Sequence, residues 1–248
     1  MTHGSLFSGI GGFDLAAEWM GWENMFHCEI NPFCQKVLKY HFPKSLSYAD
    51  IKTTDFSIWR GTVNVLSGGF PCQPFSVAGK QKGIEDDRYL WDEMLRAIVE
   101  IQPYWVVGEN VPGIINWSKG MVFDKVQTNL EAKGYKIIPV LLPACSVGAW
   151  HKRERTWFIA YADSFRCERR KQGLRQAQET RYDSPGSPKR TLRNGWFGNC
   201  VPTPRIFRGT DGIPEGVDRV KALGNAIVPQ VALQIFKTIQ QYEDGYAE

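Results

Sequence analysis

The 248-residue chain has no apolar run approaching the length of a membrane-spanning helix. Its six cysteines never fall in a C-x-x-C pair, which argues against a zinc site or a disulfide framework and fits a reduced, cytoplasmic setting. Its opening, Met1-Thr2-His3-Gly4-Ser5, runs straight into a strand-like segment, so no signal peptide is expected. No internal repeat or long low-complexity tract breaks the chain. His27 and His41 lack any partner spacing and read as structural or surface residues. Charge of one sign is also scarce, at +4 overall, but it is unevenly spread. Residues 164–208 carry eleven Lys+Arg against three Asp+Glu, leaving nineteen against twenty-three elsewhere. That segment is either a solvated loop or a phosphate-contacting surface. Apolar residues make up 43%, enough for a substantial core in one domain with at most a small appendage.

The chain is organised around Gly68-Gly69-Phe70-Pro71-Cys72-Gln73-Pro74-Phe75-Ser76. It follows the apolar run Val63-Asn64-Val65-Leu66-Ser67, a buried strand by pattern, and its glycines and prolines make it a loop. Most free cysteines are small buried hydrophobes. Cys72, locked between prolines at the C-terminal end of a strand, stands where open α/β sheets place their chemistry, and reads as a nucleophile.

The rest of the chain alternates strands and helices. Gly4 to Phe7 reads as a strand, Ser8-Gly9-Ile10-Gly11-Gly12 as a glycine turn and Phe13 to Met20 as a helix. Asp14 stands where a dinucleotide fingerprint has its third glycine, which lowers the case for a dinucleotide and leaves room for another adenosine-bearing ligand. Met25 to Cys28 is a second strand ending at Glu29, either a surface residue or a binder of ribose hydroxyls. Asn31 and Pro32 cap a second helix. Asp50, after a short strand at 47–49, is placed to accept a hydrogen bond from an adenine amino group. Tyr89 to Gln102 reads as an amphipathic helix, Tyr104 to Val107 as a strand ending at Glu109-Asn110-Val111-Pro112-Gly113. The Glu109 carboxylate lies close to Cys72 if the two strands are neighbours. A helix over 120–133 closes at Gly134. Strands follow at 136–142 and 157–161, the latter preceded by His151-Lys152-Arg153-Glu154-Arg155. Arginines at i and i+2 on an extended segment point the same way, toward a phosphate or polar ring atom, or else form an ordinary basic edge. Residues 164–208 have no clear period. Residues 217–242 read as helical, interrupted at Leu223 to Pro229.

These motifs together resemble the cytosine-C5 DNA methyltransferase family, in family order from residue 5 to residue 232. The resemblance covers Phe7, Gly9, Gly11 and Gly12 in the S-adenosylmethionine motif, Glu29 as the ribose-binding acid, and Asp50 with Ile51 at the adenine. It extends to Pro71-Cys72-Gln73 as the catalytic Pro-Cys motif, Glu109-Asn110-Val111, the paired Arg153 and Arg155, and Asn225 within Gly224-Asn225-Ala226, which reaches back to the cofactor. Two departures stand out: His151 occupies a place where the family usually has Gln, and only about 45 residues are available for target recognition.

The resemblance implies a Rossmann-like S-adenosylmethionine-dependent sheet with helices on both faces. Residues 1–163 and 209–248 would form the catalytic domain, and 164–208 a short target-recognition segment. It implies Cys72, Glu109, Arg153 and Arg155 as catalytic residues. Phe7, Gly9, Gly11, Gly12, Glu29, Asp50, Ile51, Pro71 and Asn225 would bind S-adenosyl-L-methionine, with no metal. The implied substrate is cytosine in double-stranded DNA, flipped out of the stack. Lys80 and Lys82 join the arginines as candidates to make the thiol's surroundings electropositive. The loop containing Gly79 and Gly83 would close over the base. A cytoplasmic, nucleoid-associated monomer of bacterial or phage origin is expected, with a cognate restriction endonuclease as partner. Transfer of methyl to tRNA and a weakly catalytic DNA-binding relative are the alternatives.

Overall fold

The computed structural model describes residues 1–71, 90–162 and 222–245. Among them, seven strands form one sheet: β1 (Thr2–Leu6), β2 (Glu23–Cys28), β3 (Leu46–Tyr48), β4 (Val65–Gly68), β5 (Trp105–Asn110), β6 (Lys136–Pro143) and β7 (Glu154–Tyr161). Their spatial order is β3-β2-β1-β4-β5-β7-β6. The first five are parallel, and β7 runs antiparallel between β5 and β6. The order reverses between β1 and β4, a switch point where the crevice beyond the strands' C-terminal ends takes ligands. Phe7, Glu29, Asp50, the start of the cysteine loop and Glu109 all lie at or beside these ends.

Alternation along the strands sorts the core onto two faces. Leu6, Phe26, Leu66, Val106 and Phe158 face α3 (Trp91–Ile101) and α4 (Met121–Glu131). Val65, Trp105, Val107 and Trp157 face α1 (Gly12–Trp19) and α5 (Pro229–Gly245). On this second face Phe236 stacks on Trp22 at 4.8 Å, and Phe13 lies edge-on to Trp157. Trp22 Nε1 donates to Gln240 Oε1, and Trp105 Nε1 to Glu243 Oε1, each at 2.9 Å. The chain thus leaves the sheet after β7 and its last helix returns to pack against its first. No helix among the described residues is long and apolar enough to cross a membrane.

Local signals behave as their chemistry demands. Asn31 Oδ1 accepts from the backbone N–H groups of Phe33 and Cys34, and Pro32 opens α2 (Pro32–His41). Gly134 takes φ 83° after α4. His27 is buried with Nε2 2.7 Å from Ser47 Oγ, and His41 is exposed, so neither faces the site. One expectation changes: the extended segment of β7 begins at Glu154, and Arg153 before it has φ 31°. The two arginines therefore do not share one extended run, and alternation does not set their directions.

Candidate active site

The glycine turn is shaped from below by a buried polar cluster. Ser5 Oγ donates to the Asp14 carboxylate at 2.9 Å, and the Ser5 and Ser8 hydroxyls are 2.6 Å apart. Burial raises the Asp14 carboxyl from 3.8 to about 7 against the Ser5 hydrogen bond. Asp14 in place of a third glycine is therefore a structural group of the turn, fully buried. Beside it, His3 bridges Asn24 Oδ1 at 2.7 Å and Ser67 Oγ at 2.8 Å, joining β1 to the strand that leads into the cysteine loop.

Above the turn, Gly9 has φ 56°, and a Cβ there would meet nothing within 4 Å. Phe7 also lies in the left-handed region at φ 51°, an uncommon conformation for a non-glycine residue. Glu29 binds across the turn. Its Oε2 accepts from Gly9 N at 2.8 Å and its Oε1 from Asn31 N at 2.7 Å. An ionised carboxylate has about four acceptor positions, so Glu29 keeps capacity for two hydroxyl donors. Asp50 Oδ1 accepts from Lys52 N at 2.9 Å. Arg96 of α3 fixes the segment after Asp50, donating to the Ile51 carbonyl and, at 3.1 Å, to that of Thr54, while pairing with Glu93 and Glu100. Ile51 is buried beneath.

This donor set fits S-adenosylmethionine. Carboxylates at two adjacent strand ends suit ribose hydroxyls, an amino group and a cationic sulfonium. No basic residue lies between Ser5 and Asp14 to receive a pyrophosphate. Gly9 leaves open space where a ligand would approach the backbone.

Gly12 also makes a packing contact. A Cβ on it would lie 2.8 Å from both Cβ and the carbonyl oxygen of Ile227. The segment carrying Asn225, itself exposed, is thus packed onto the glycine turn. Gly12→Ala should destabilise the protein by about 1–3 kcal/mol through overpacking against backbone, visible as a lowered midpoint in thermal unfolding.

At the other side of the switch point, β4 and β5 are paired neighbours, with Gly68 opposite Gly108. Glu109 Oε1 accepts from Arg155 Nε at 2.9 Å, and Glu109 Oε2 would lie 3.5 Å from a Cβ on Gly69. The carboxylate therefore stands directly against the start of the cysteine loop. Its side chain is 12% exposed. Burial raises it from 4.5 to about 7, with Arg155 and Arg153 opposing the shift by their charge and Arg155 also by its hydrogen bond. Arg155 donates through Nη1 to the Glu154 carbonyl as well. Arg153 turns its Nη2 to the carbonyls of Gly224 at 3.0 Å and Ala226 at 2.7 Å.

Asn110 fixes the same loop. It is buried, donates to the Phe70 carbonyl at 3.0 Å and accepts from Val111 N at 2.8 Å. Phe70 is wedged between Trp91 and Phe158. Pro71, half-buried, is the last described residue before 90. Asn110→Ala would leave the Phe70 carbonyl and the Val111 N–H without these partners, at a cost of about 1–3 kcal/mol, measurable by denaturant unfolding. Cys72, Gly79, Lys80, Lys82, Gly83 and residues 164–208 lie outside the described residues.

The structure thus gathers Phe7, Gly9, Glu29, Asp50 and Ile51 along one half of the crevice, and Pro71, Glu109 and Arg155 along the other. Gly12, Arg153 and Asn225 lie at the join. Phe70, Asn110 and Ile227 hold these parts together and were not among the candidate site residues. Only Asn110 carried a sequence signal, by its place in a Glu-Asn-Val-Pro-Gly turn. Nothing local marks Ile227 as a partner of Gly12.

Comparison with known proteins agrees with this arrangement. The family model for C-5 cytosine-specific DNA methylase matches residues 1–195. The type II methyltransferase M.Eco47II of Escherichia coli is 37% identical over 158 residues, covering 62% of this chain and 38% of that protein. M.HhaI of Haemophilus parahaemolyticus is 31% identical over 164 residues, covering 66% and 50%. A crystal structure assigned as a DNA modification methyltransferase encoded within a prophage (E. coli) superposes with a TM-score of 0.56 at 28% identity, covering 67% of this chain and 48% of that one. The S. pombe Dnmt2 methyltransferase shares the fold, with a TM-score of 0.54 at 23% identity, covering 65% and 51%. The chain spans about half or less of the length of each of these relatives. With most of its length inside the family model, the chain belongs to the C-5 cytosine-specific DNA methylase family.

Proposed function

We propose that the protein transfers a methyl group from S-adenosylmethionine to carbon 5 of cytosine in DNA, through a covalent adduct of Cys72 with the flipped base. The observation that carries this reading is the placement of Glu109: buried, bonded to Arg155 and lying against Gly69 of the cysteine loop, with burial raising its carboxyl to about 7. Carbon 5 of cytosine is a poor nucleophile. Addition of the Cys72 thiolate to carbon 6 makes carbon 5 enamine-like, provided ring nitrogen 3 takes a proton as the carbon–sulfur bond forms. A carboxyl raised to about 7 keeps a protonated fraction at neutral pH that an ordinary carboxylate lacks. Arg155 holds the carboxyl in place and offers its remaining N–H groups to the ring oxygen. When bound, S-adenosylmethionine supplies a sulfonium-activated methyl group for carbon 5. Glu29 and Asp50 orient its adenosine, Gly9 allows its close approach, and Phe7, Gly11, Gly12, Ile51, Pro71 and Asn225 complete its surroundings. The carbon 5 proton then leaves to a water-derived base as the bond to Cys72 breaks and the sulfur regains its electron pair, ring nitrogen 3 returns its proton to Glu109, and S-adenosylhomocysteine would be the released co-product.

Residues 1–163 and 209–248 form the catalytic domain in this reading, and the basic 164–208 segment contacts DNA phosphates and offsets the few kcal/mol of base flipping. The relatives' names as type II methyltransferases support a place in restriction-modification, with a cognate endonuclease as partner; in this reading the protein acts as a cytoplasmic monomer. The brevity of 164–208 favours tRNA as the second reading. Incubation with methyl-labelled S-adenosylmethionine and either duplex DNA or tRNA decides between them. Label on carbon 5 of cytosine in DNA is expected. Label in tRNA alone, or in neither, overturns the proposal.

A further inference from the structure

We propose that Arg153 is a positioning residue: it latches the segment from Ala222 to Val228 across both halves of the crevice, so that cofactor side and base side are assembled by one contact. The inference rests on the methyl-transfer reading for its consequence, though not for its geometry. Arg153 sits just before β7 in a left-handed conformation, φ 31°, which aims its side chain away from the strand's alternation. Its Nη2 donates to two carbonyls on either side of Asn225, those of Gly224 and Ala226. The next residue, Ile227, meets both halves of the site. Its Cβ and carbonyl oxygen press on Gly12 of the glycine turn, and its Cδ1 lies 3.4 Å from where a Cβ on Gly69 would be. Glu109 Oε2 lies 3.5 Å from that same point. Three elements distant in sequence therefore converge on the four residues from Gly224 to Ile227, with Glu109 beside the same point, and the Arg153 guanidinium is the charged group that holds that segment.

The latch differs from a catalytic contact because both donor bonds of Nη2 are spent on backbone. It also differs from simple structural support, because Arg153 faces Arg155 and Glu109 and its charge lowers the Glu109 pKa. One side chain thus has two separable effects, a geometric one on the 222–228 segment and an electrostatic one on Glu109. Lysine keeps the charge but not the planar, pre-organised guanidinium. Methionine removes both.

The test uses Arg153→Lys and Arg153→Met in the full chain, with two readouts in the cofactor-free protein and one with S-adenosylhomocysteine as probe. Hydrogen exchange at the amides of Ala226, Val231 and Ala232, bonded to Leu223, Val228 and Val228, should quicken in both variants relative to the Met94 amide of α3. Affinity for S-adenosylhomocysteine by calorimetry should fall about tenfold or more in both, the loss expected for a charge-assisted hydrogen bond. The titration midpoint of the Glu109 carboxyl, followed by carboxyl-carbon NMR, should rise in Arg153→Met and stay in place in Arg153→Lys. Unchanged exchange in both variants overturns the latch, whatever the binding results. Full restoration of exchange and affinity by lysine also overturns it, since charge alone would then suffice. If Arg153→Met does not fold, the exchange and affinity of Arg153→Lys decide. Failure of the unaltered protein to bind S-adenosylhomocysteine would count against the cofactor reading instead, with exchange still deciding the latch.

Discussion

Glu109→Gln should lower kcat for methyl transfer by about 10²–10⁴-fold, the range for loss of a positioned general acid, while cofactor affinity stays as it was. Glutamine matches the carboxyl in size and keeps an oxygen for Arg155, so the 2.9 Å contact and the packing against Gly69 have a substitute. It has no proton to give to ring nitrogen 3. The pH profile separates this from a general loss of structure. In the unaltered protein kcat/KM should fall as pH rises past about 7, where Glu109 loses its proton. In Glu109→Gln that descending limb should disappear. The stability contribution of Glu109 should follow pH in the same direction. The folded pKa of Glu109 is raised above the ordinary 4.5, so its contribution is fully present below that value and is lost as pH rises through about 7. Above pH 7 the glutamine variant should therefore be no less stable than its parent in thermal unfolding. A poorly active, well-folded variant at pH 8 identifies the missing proton as the defect. An active one removes Glu109 from the chemistry.

Two other buried groups set the background for that experiment. Asp14, raised to about 7, adds a loss of stability in the same direction as Glu109. His3, lowered from 6.5 to about 4 by burial, acts oppositely: its contribution is present above 6.5 and lost as pH falls through about 4. The comparison of Glu109→Gln with its parent cancels both, because neither His3 nor Asp14 contacts Glu109.

Much of this site was legible because its determinants are local. Glycine between a strand and a helix, an acid after the second strand, and a Pro-Cys loop after an apolar run each follow from chain chemistry over a few residues. The parallel order follows from strands alternating with helices, and it puts those features along one edge. The adjacency of β4 and β5 was the conditional step, since Glu109 is useful only if Gly68 and Gly108 are opposite each other, as they are. What escaped the sequence is non-local. The turn at Arg153 breaks the alternation expected of an i, i+2 pair, because tertiary bonds to the 224 and 226 carbonyls outweigh a local extended preference. The contact of Ile227 with Gly12 spans nearly the whole chain, and Ile-Val-Pro at a helix start looks like any apolar entry. The bridge from Asn24 through His3 to Ser67 was equally invisible: a buried histidine is revealed by the three strands around it, not by its own neighbours in sequence.

Cys72→Ser should abolish turnover and leave S-adenosylhomocysteine binding intact. The proposed cofactor groups Gly9, Glu29, Asp50 and Ile51 lie at β1, β2 and β3, on the far side of the switch point from the start of the cysteine loop. A serine hydroxyl is a far weaker nucleophile than a thiolate at neutral pH, and no packing change is needed to explain the loss. The stronger form of the test is a trap. DNA carrying 5-fluorocytosine should become covalently attached to the unaltered protein, because fluorine on carbon 5 cannot leave as a proton does and the carbon–sulfur bond persists. Peptide mapping should place the adduct on Cys72. Among the described residues, the other cysteines make the assignment discriminating. Cys28 and Cys34 are buried, and burial, reinforced by Glu29 and Asp50, pushes the Cys28 thiol up to about 12. Cys145 is exposed but follows β6, on the sheet edge away from the switch point. An adduct on Cys145, or none on Cys72, would detach the chemistry from the loop that Asn110, Phe70 and Glu109 hold at the head of β4, and the covalent route would fall with it.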